Sequence, residues 1–322
     1  VVEKALKQAF PKSHATSYML LATKVDAIAV TIGPGLSIAL GVGVDKAKEL
    51  AKKHKKPLIA VNHVEGHILS PFARPKSSAS YKPSTRAQAE GLPATSYPSL
   101  GLVASGGNTI LVKINKIGSY KILAQTRDDA LGEALDKAAR MLGLGYPGGA
   151  VLEKMARLGN PKVYSLPLPM ANSKELAFSY SGLKTAMFRL VEKVSTKGGS
   201  ASGRKAENGG VLTKQNIYDL AACFQNRAFQ HLTRVSSRII HNSSFIIQSL
   251  LVGGGVSANN ELRKRLRKMG KELGIKVWFP YTKKLCTDNA AMIGVAAYFK
   301  AQRNEFAKNI EEVDRISNLK IA

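Results

Sequence analysis

His63 and His67 stand four residues apart, directly after the apolar run Pro57-Leu58-Ile59-Ala60-Val61. If strand gives way to helix at that point, both imidazoles project from one helical face and reach a single metal ion. Far downstream, Cys286-Thr287-Asp288-Asn289-Ala290 sets an acid before a helix of small residues, and Asp288 could supply an oxygen ligand from across the fold. The His-x-x-x-His spacing alone is equally what two unrelated surface or core histidines would give. Metalloprotease signatures place a glutamate beside one of the histidines. Here Glu65 is two residues from each, and at about 3.6 residues per turn it points roughly 200° away from His63. The pair therefore reads as holding a metal that positions a ligand, with Glu65 in a supporting or structural place.

Such ligands need a scaffold, and the sequence around them has one. Ala27-Ile28-Ala29-Val30-Thr31 is apolar and β-branched, Gly33-Pro34-Gly35 breaks it, Ser37 to His54 has helical character, and Pro57 to Val61 is a second strand. This is a βαβ unit, which implies parallel strands with a right-handed crossover and ligands gathered at the strand ends, where His63 lies.

Two further glycine clusters follow. Leu100 to Ala104 and Ile110 to Ile114 read as strands joined by Ser105-Gly106-Gly107-Asn108-Thr109. That turn is either a backbone cradle for an anion or an ordinary hairpin. The apolar stretch Phe245 to Val252 runs through Gly253-Gly254-Gly255-Val256-Ser257-Ala258-Asn259 into a helix, an arrangement whose free N–H groups suit a nucleotide. It is neither the dinucleotide fingerprint nor a P-loop. Two such loops on separate elements predict a nucleotide clamped between two lobes. A third helix is expected from Asp128 through Lys137, with Asp128 and Asp129 complementing its dipole. Asp136 could accept ribose hydroxyls if its face turns inward, although spacing does not single it out.

The chain has 322 residues, 44% of them hydrophobic, enough for two lobes with substantial cores. No segment approaches the roughly 18 continuous apolar residues of a membrane span, and Val1 to Lys12 has no apolar signal core. Cys223 and Cys286 are too few for a disulfide framework, which fits a reducing or neutral compartment. Lys+Arg number 48 against 22 Asp+Glu, a net charge of +26. An excess of that size favours a polyanion, RNA or DNA first, because neutralising phosphates releases condensed counterions. The densest run, Arg263, Lys264, Arg265, Arg267, Lys268 and Lys271, covers more than one helical face, so part of it is simply solvated. Arg74 to Tyr97 and Ser195 to Gly210 have no period and read as flexible surface insertions.

Taken in order, the motifs resemble those of the universal tRNA threonylcarbamoyladenosine transferases, the TsaD-like family once labelled O-sialoglycoprotein endopeptidases. The matching pieces are Gly33-Pro34-Gly35, His63-Val64-Glu65-Gly66-His67, Ser105 to Thr109, Gly132-Glu133-Ala134-Leu135-Asp136-Lys137, Tyr146-Pro147-Gly148-Gly149, Phe178-Ser179-Tyr180-Ser181-Gly182-Leu183-Lys184-Thr185, Gly254 to Asn259 and Cys286 to Ala290. They stand in the family's order from about residue 24 to 300, and their joint occurrence is far more specific than any one of them.

The resemblance implies an α/β, two-lobed fold of the actin/Hsp70/sugar-kinase (ASKHA) type, with nucleotide and metal in the interlobe cleft. One lobe would be residues 1–97 completed by 286–322, the other 98–285. It implies His63, His67 and Asp288 as ligands of one iron or zinc ion per subunit. Val103, Ala104, Ser105, Gly106, Gly107, Asp136, Gly149 and Asn259 would bind the adenylate. The substrate would be threonylcarbamoyl-AMP from a YrdC-type synthase, and the acceptor N6 of adenosine 37 in tRNAs reading ANN codons. No general base is implied. The family's opening strand, with its acidic residue, is absent before Val1, so the sequence as given is expected to lack one cleft edge and to be impaired for it; Lys12 to Lys24 also fits the family poorly. The His-x-Glu-Gly-His form is similar to the bacterial and mitochondrial branch. With the basicity it predicts a mitochondrial homodimer not bound to membrane, a cytoplasmic location being the alternative. The competing readings are a metal-dependent glycoprotease, opposed by the placement of Glu65 and by the basic charge, and a non-catalytic nucleotide- or nucleic-acid-binding module of the same fold.

Overall fold

The computed structural model describes residues 24–73, 97–195, 204–205 and 210–322. Most of the segments expected as insertions, and most of Lys12 to Lys24, lie outside the described residues. The described residues divide into two compact units, those up to Gly66 together with Ala290–Ile321, and those from His67 to Asn289.

In the first unit, β1 (Ile28–Gly33) and β2 (Leu58–Asn62) pair in parallel, Ile28 opposite Leu58, with α1 (Ser37–His54) as the crossover. This is the βαβ arrangement predicted from the apolar runs. Val44, Ala47 and Ala51 recur on one face of α1 and are buried against Val30 and Leu58. Each fully buried valine or leucine contributes about 1.5–3 kcal/mol. The helix stops where Lys55 turns left-handed and its N–H returns to the helix carbonyls. The C-terminal stretch closes this unit: Ala307 donates to the Leu58 carbonyl, Ile316 to that of Ile32, and Gly35 to that of Ser317. Ala307, Ile310 and Val313 pack on the same core.

A short helix, α2 (His63–Leu69), follows β2 directly, and a 3-10 turn over Ser70–Phe72 continues it. Asn62 starts α2, because its Oδ1 accepts from the N–H groups of Val64 at 2.8 Å and Glu65 at 3.3 Å. The division between units falls inside α2, after Gly66. It thus comes earlier than the boundary near residue 97 expected from sequence, and the later boundary falls after Asn289 rather than Leu285. The reason is local: Ile68 faces Gly101 and Ser70 faces Gly253, both in the sheet of the second unit.

That sheet has the order β5-β4-β3-β8-β9. Its strands are β3 (Ser99–Ala104), β4 (Thr109–Lys116), β5 (Ser119–Gln125), β8 (Ser249–Gly253) and β9 (Lys276–Trp278). β3 to β5 are antiparallel neighbours, while β3, β8 and β9 run parallel. Helices α3 (Leu131–Met141), α4 (Gly149–Ala156), α5 (Ser181–Val194) and α6 (Lys214–His241) contribute to its core, as does α7 (Asn260–Glu272). A two-stranded ribbon, β6 (Arg204–Lys205) with β7 (Val211–Leu212), precedes α6. Central β3 is buried at every position, as its unbroken apolar run requires. Helix α8 (Ala290–Gln302) belongs to the first unit. Among the described residues no helix is long and apolar enough to cross a membrane.

Candidate metal and nucleotide site

His63 opens α2 and His67 lies one turn later, so the helix itself fixes their spacing. His67 is fully buried, and its Nε2 is 3.2 Å from an Asp288 carboxylate oxygen. One ligand atom from each of His63, His67 and Asp288 lies within 4.8 Å of the others. Metal–nitrogen and metal–oxygen bonds of about 2.0–2.2 Å place neighbouring donors within such a distance. Two imidazoles with one carboxylate suit zinc or iron and leave coordination positions open. The donor set therefore fits a divalent cation. Glu65 is buried beside them on α2.

The backbone around His67 is held firmly. Its carbonyl accepts the Ser70 hydroxyl at 2.7 Å, and β8 ends against the same carbonyl. A Cβ on Gly253 would lie 1.9 Å from that oxygen. Asp288 instead sits at the end of a loop, its side chain 76% exposed. The preceding 3-10 turn, Lys283–Leu285, and bonds from Asn289 Nδ2 to the carbonyls of Leu285 and Thr287 shape that loop. Asp288 thus precedes α8, as its small-residue pattern predicted.

A cavity of about 250 Å³ lies in the second unit. Gly106, Asp136, Gly149 and Asn259 line it, so four of the eight residues assigned to an adenylate come together there. The other four do not reach its lining. Val103 and Ala104 are wholly buried in β3, Ser105 is buried just behind the turn, and Gly107 faces open space. Ser105 acts through its backbone: its carbonyl accepts the Gly132 N–H at 3.0 Å, which seats α3 against the turn.

Asp136 faces inward. Its Oδ1 accepts the N–H groups of Gly148 at 2.9 Å and Gly149 at 2.7 Å, fixing the start of α4 at the cavity wall. Asn259 caps α7, accepting from Glu261 and Leu262, while its Nδ2 donates to Gln225 at 2.8 Å. The glycine loop after β8 does not lead straight into that helix; a 3-10 turn, Gly255–Ala258, intervenes and lines the cavity. Glu153, one turn after Gly149, also lines it and accepts the Asn260 N–H at 3.0 Å. Sequence reading overlooked it, although its spacing from Gly149 was a usable signal.

Asp128 and Asp129 require a correction. Helix α3 begins at Leu131, so neither acid stands in its first turn. Asp128 accepts from the hydroxyls of Ser179 and Ser181 at 2.5 and 2.8 Å and from the Tyr180 N–H at 2.8 Å. Burial works to raise its pKa, but these bonds together hold it below the usual range. Asp129 pairs with Lys137 and Lys184 at 2.5 and 2.8 Å. Behind this network lies His231, fully buried, whose Nε2 accepts the Ser179 N–H at 3.1 Å. Burial, then the charge of Arg234, pushes its pKa down to about 4. The Phe178-Ser179-Tyr180-Ser181 stretch thus anchors the approach to α3.

The basic run on α7 divides as expected. Lys264, Arg267, Lys268 and Lys271 are exposed, Arg265 is tied to Glu261 and Asn226, and Arg263 is buried.

Comparison with known proteins bears on this geometry. A family profile described as tRNA N6-adenosine threonylcarbamoyltransferase (TsaD) matches residues 2–295. A tRNA N6-adenosine threonylcarbamoyltransferase of Moorella thermoacetica is 43% identical over 284 residues, covering 88% of this chain and 73% of its own. One from Gloeothece citriformis is 40% identical, covering 95% of this chain and 79% of its own. Among solved structures, HypF of T. kodakarensis is similar in fold, with a TM-score of 0.57 at 14% identity, over 88% of this chain and 41% of that one. A full-length HypF in its phosphate- and nucleotide-bound form has a TM-score of 0.55 at 13% identity, over 88% of this chain and 48% of that one.

Proposed function

The chain belongs to the tRNA N6-adenosine threonylcarbamoyltransferase family, and from that premise we propose how its residues divide the work. The activity is transfer of a threonylcarbamoyl group to N6 of adenosine 37 in tRNAs reading ANN codons, forming t6A37. Threonylcarbamoyl-AMP is the donor. The N6 nitrogen bonds to the carbamoyl carbon, the bond from that carbon to the phosphate oxygen breaks, AMP departs, and N6 gives up a proton.

His63, His67 and Asp288 would hold one iron or zinc ion, which would supply Lewis-acid positive charge beside the acyl-phosphate. The adenylate occupies the cavity lined by Gly106, Asp136, Gly149 and Asn259. Asp136 keeps the Gly148–Gly149 backbone in place and Asn259 fixes the start of α7, so the walls are set before the nucleotide arrives. A weakly nucleophilic aromatic amine gains most from an aligned acyl group, and preset walls supply that alignment. The ASKHA-type fold, with each unit as one lobe, is the form that family membership supports.

The net charge of +26 supports tRNA as the polyanionic partner. A YrdC-type synthase supplies the adenylate. The protein works as a homodimer in mitochondria, a reading supported by its similarity to the bacterial and mitochondrial branch.

The observation that carries the metal assignment is the convergence of three donor atoms from distant sequence positions within 4.8 Å. Metal analysis of the purified protein tests it. Wild type is expected to carry one ion per chain, and the His63→Ala, His67→Ala double variant none, with unchanged circular dichroism. Global unfolding of the double variant would make the histidines packing groups instead.

A further inference from the structure

Arg263 lies in the first turn of α7 with only 9% of its surface exposed, where a guanidinium without acceptors is strongly unfavourable. Its Nε donates to the Ser257 carbonyl at 2.7 Å, and a terminal nitrogen donates to Cys286 Sγ at 3.2 Å. Its planar head lies 4.7 Å from the centre of the Phe279 ring. Neither acceptor is a carboxylate. For packing alone, an apolar side chain of similar length would fill this space without the desolvation cost. What distinguishes the two acceptors is their location.

Ser257 belongs to the 3-10 turn Gly255–Ala258, which contributes Gly255, Val256 and Ala258 to the cavity wall. Cys286 precedes the metal-site residue Asp288 by two positions, and its thiol reaches back to the Thr282 carbonyl at 3.8 Å. One buried side chain therefore joins the wall of the nucleotide cavity to the segment that carries Asp288. A lysine could not do the same, because a single ammonium lacks the fixed fork that reaches both acceptors.

We propose that Arg263 is a positioning residue that couples the two sites, so that a nucleoside monophosphate in the cavity and a divalent cation at His63, His67 and Asp288 each favour binding of the other. This inference rests on the assignment of cavity and metal site under Proposed function. Ordering of either loop holds the guanidinium bridge in place, and the bridge then orders the other loop. Cys286 is the far anchor of this device.

Two probes test it, AMP for the cavity and Co2+ for the metal site. AMP affinity is measured by equilibrium dialysis with and without Co2+, and Co2+ affinity by visible absorption with and without AMP. In wild type, each is expected to tighten the other by about fivefold or more, and by the same factor, since linkage is reciprocal. In Arg263→Met, Arg263→Lys and Cys286→Ala, both sites should still bind while that factor falls at least about threefold below its wild-type value. A role in packing alone would lower both affinities or the stability and leave the factor intact. Should Arg263→Met fail to fold, Cys286→Ala keeps the guanidinium and carries the test. A wild-type factor retained in folded variants would show that the coupling runs by direct contact between the ligands and would overturn the inference; so would a factor of one in wild type. Failure of wild type to bind AMP or Co2+ at all would instead defeat the underlying site assignment, and the inference with it.

Discussion

After β8, Gly253 and Gly254 lie hard against other backbone. A Cβ at Gly253 would stand 1.9 Å from the His67 carbonyl oxygen, and one at Gly254, where φ is +89°, 2.4 Å from that of Ala104. Between β3 and β4, Gly106 has nothing within 4 Å of the position a Cβ would take. Both turns border the same cavity region, and in the sequence both are simply glycine-rich. The first pair is required so that strand, α2 and the glycine loop can meet, which sets where His67 sits. Gly106 leaves room at the edge of the cavity it lines. A glycine near a site thus has one of two uses, and only the distance to its neighbours tells which.

The largest expected effect breaks the packed side of this contrast. Gly253→Ala forces two backbones apart and should cost more than about 3 kcal/mol, read as a loss of folded protein in urea denaturation. Stability little changed from wild type would mean that α2 and β8 part easily.

A pH titration examines the support behind the open turn, which runs from His231 through Ser179 and Asp128 to the approach of α3. His231 is held neutral with its pKa near 4, against an ordinary 6.5. Its stabilising share is complete above about pH 6.5 and is lost as pH falls toward 4, approaching about 3 kcal/mol. Urea stability measured across that range should show this acid limb, and His231→Gln should flatten it. Equal slopes in the two proteins would remove His231 from the support.

Asp136→Ala comes next, because it leaves the Gly148 and Gly149 amides without their acceptor. A loss of about 2 kcal/mol is expected, with AMP affinity weakened at least about tenfold in equilibrium dialysis. Gly106→Ala should have the smallest effect on stability, within about 0.5 kcal/mol, yet reduce AMP binding by filling the cavity edge. Substantial destabilisation at Gly106 would erase the contrast between the two turns.

Much of this was legible in the sequence. Apolar runs bounded by glycine gave the βαβ unit and the β3–β4 hairpin with nearly their observed limits, because periodicity and turn chemistry are local. The two histidines and Asp288 were also legible, through residue type and through resemblance to a family whose profile matches the chain. Asp128 and Asp129 were misread because their partners lie some fifty residues away, at Ser179 to Ser181 and Lys184. Arg263 stood out only as one charge in a basic run, since its burial depends on Ser257 and Cys286 meeting it. The division inside α2 was invisible for a similar reason. It is set by Ile68 and Ser70 packing on a sheet whose strands come later in the chain.

The central claim is that this chain transfers threonylcarbamoyl to adenosine 37 with His63, His67 and Asp288 as its metal ligands. Nucleoside mass analysis tests it most directly, on tRNA incubated with the protein, a YrdC-type synthase, threonine, bicarbonate and ATP. The account predicts t6A at position 37 with the wild-type protein, and its loss when His63 and His67 are both replaced by alanine. Undiminished t6A in the double variant would contradict the role of the metal ligands, and no t6A from wild type, with the adenylate shown to be present, would contradict the transferase itself.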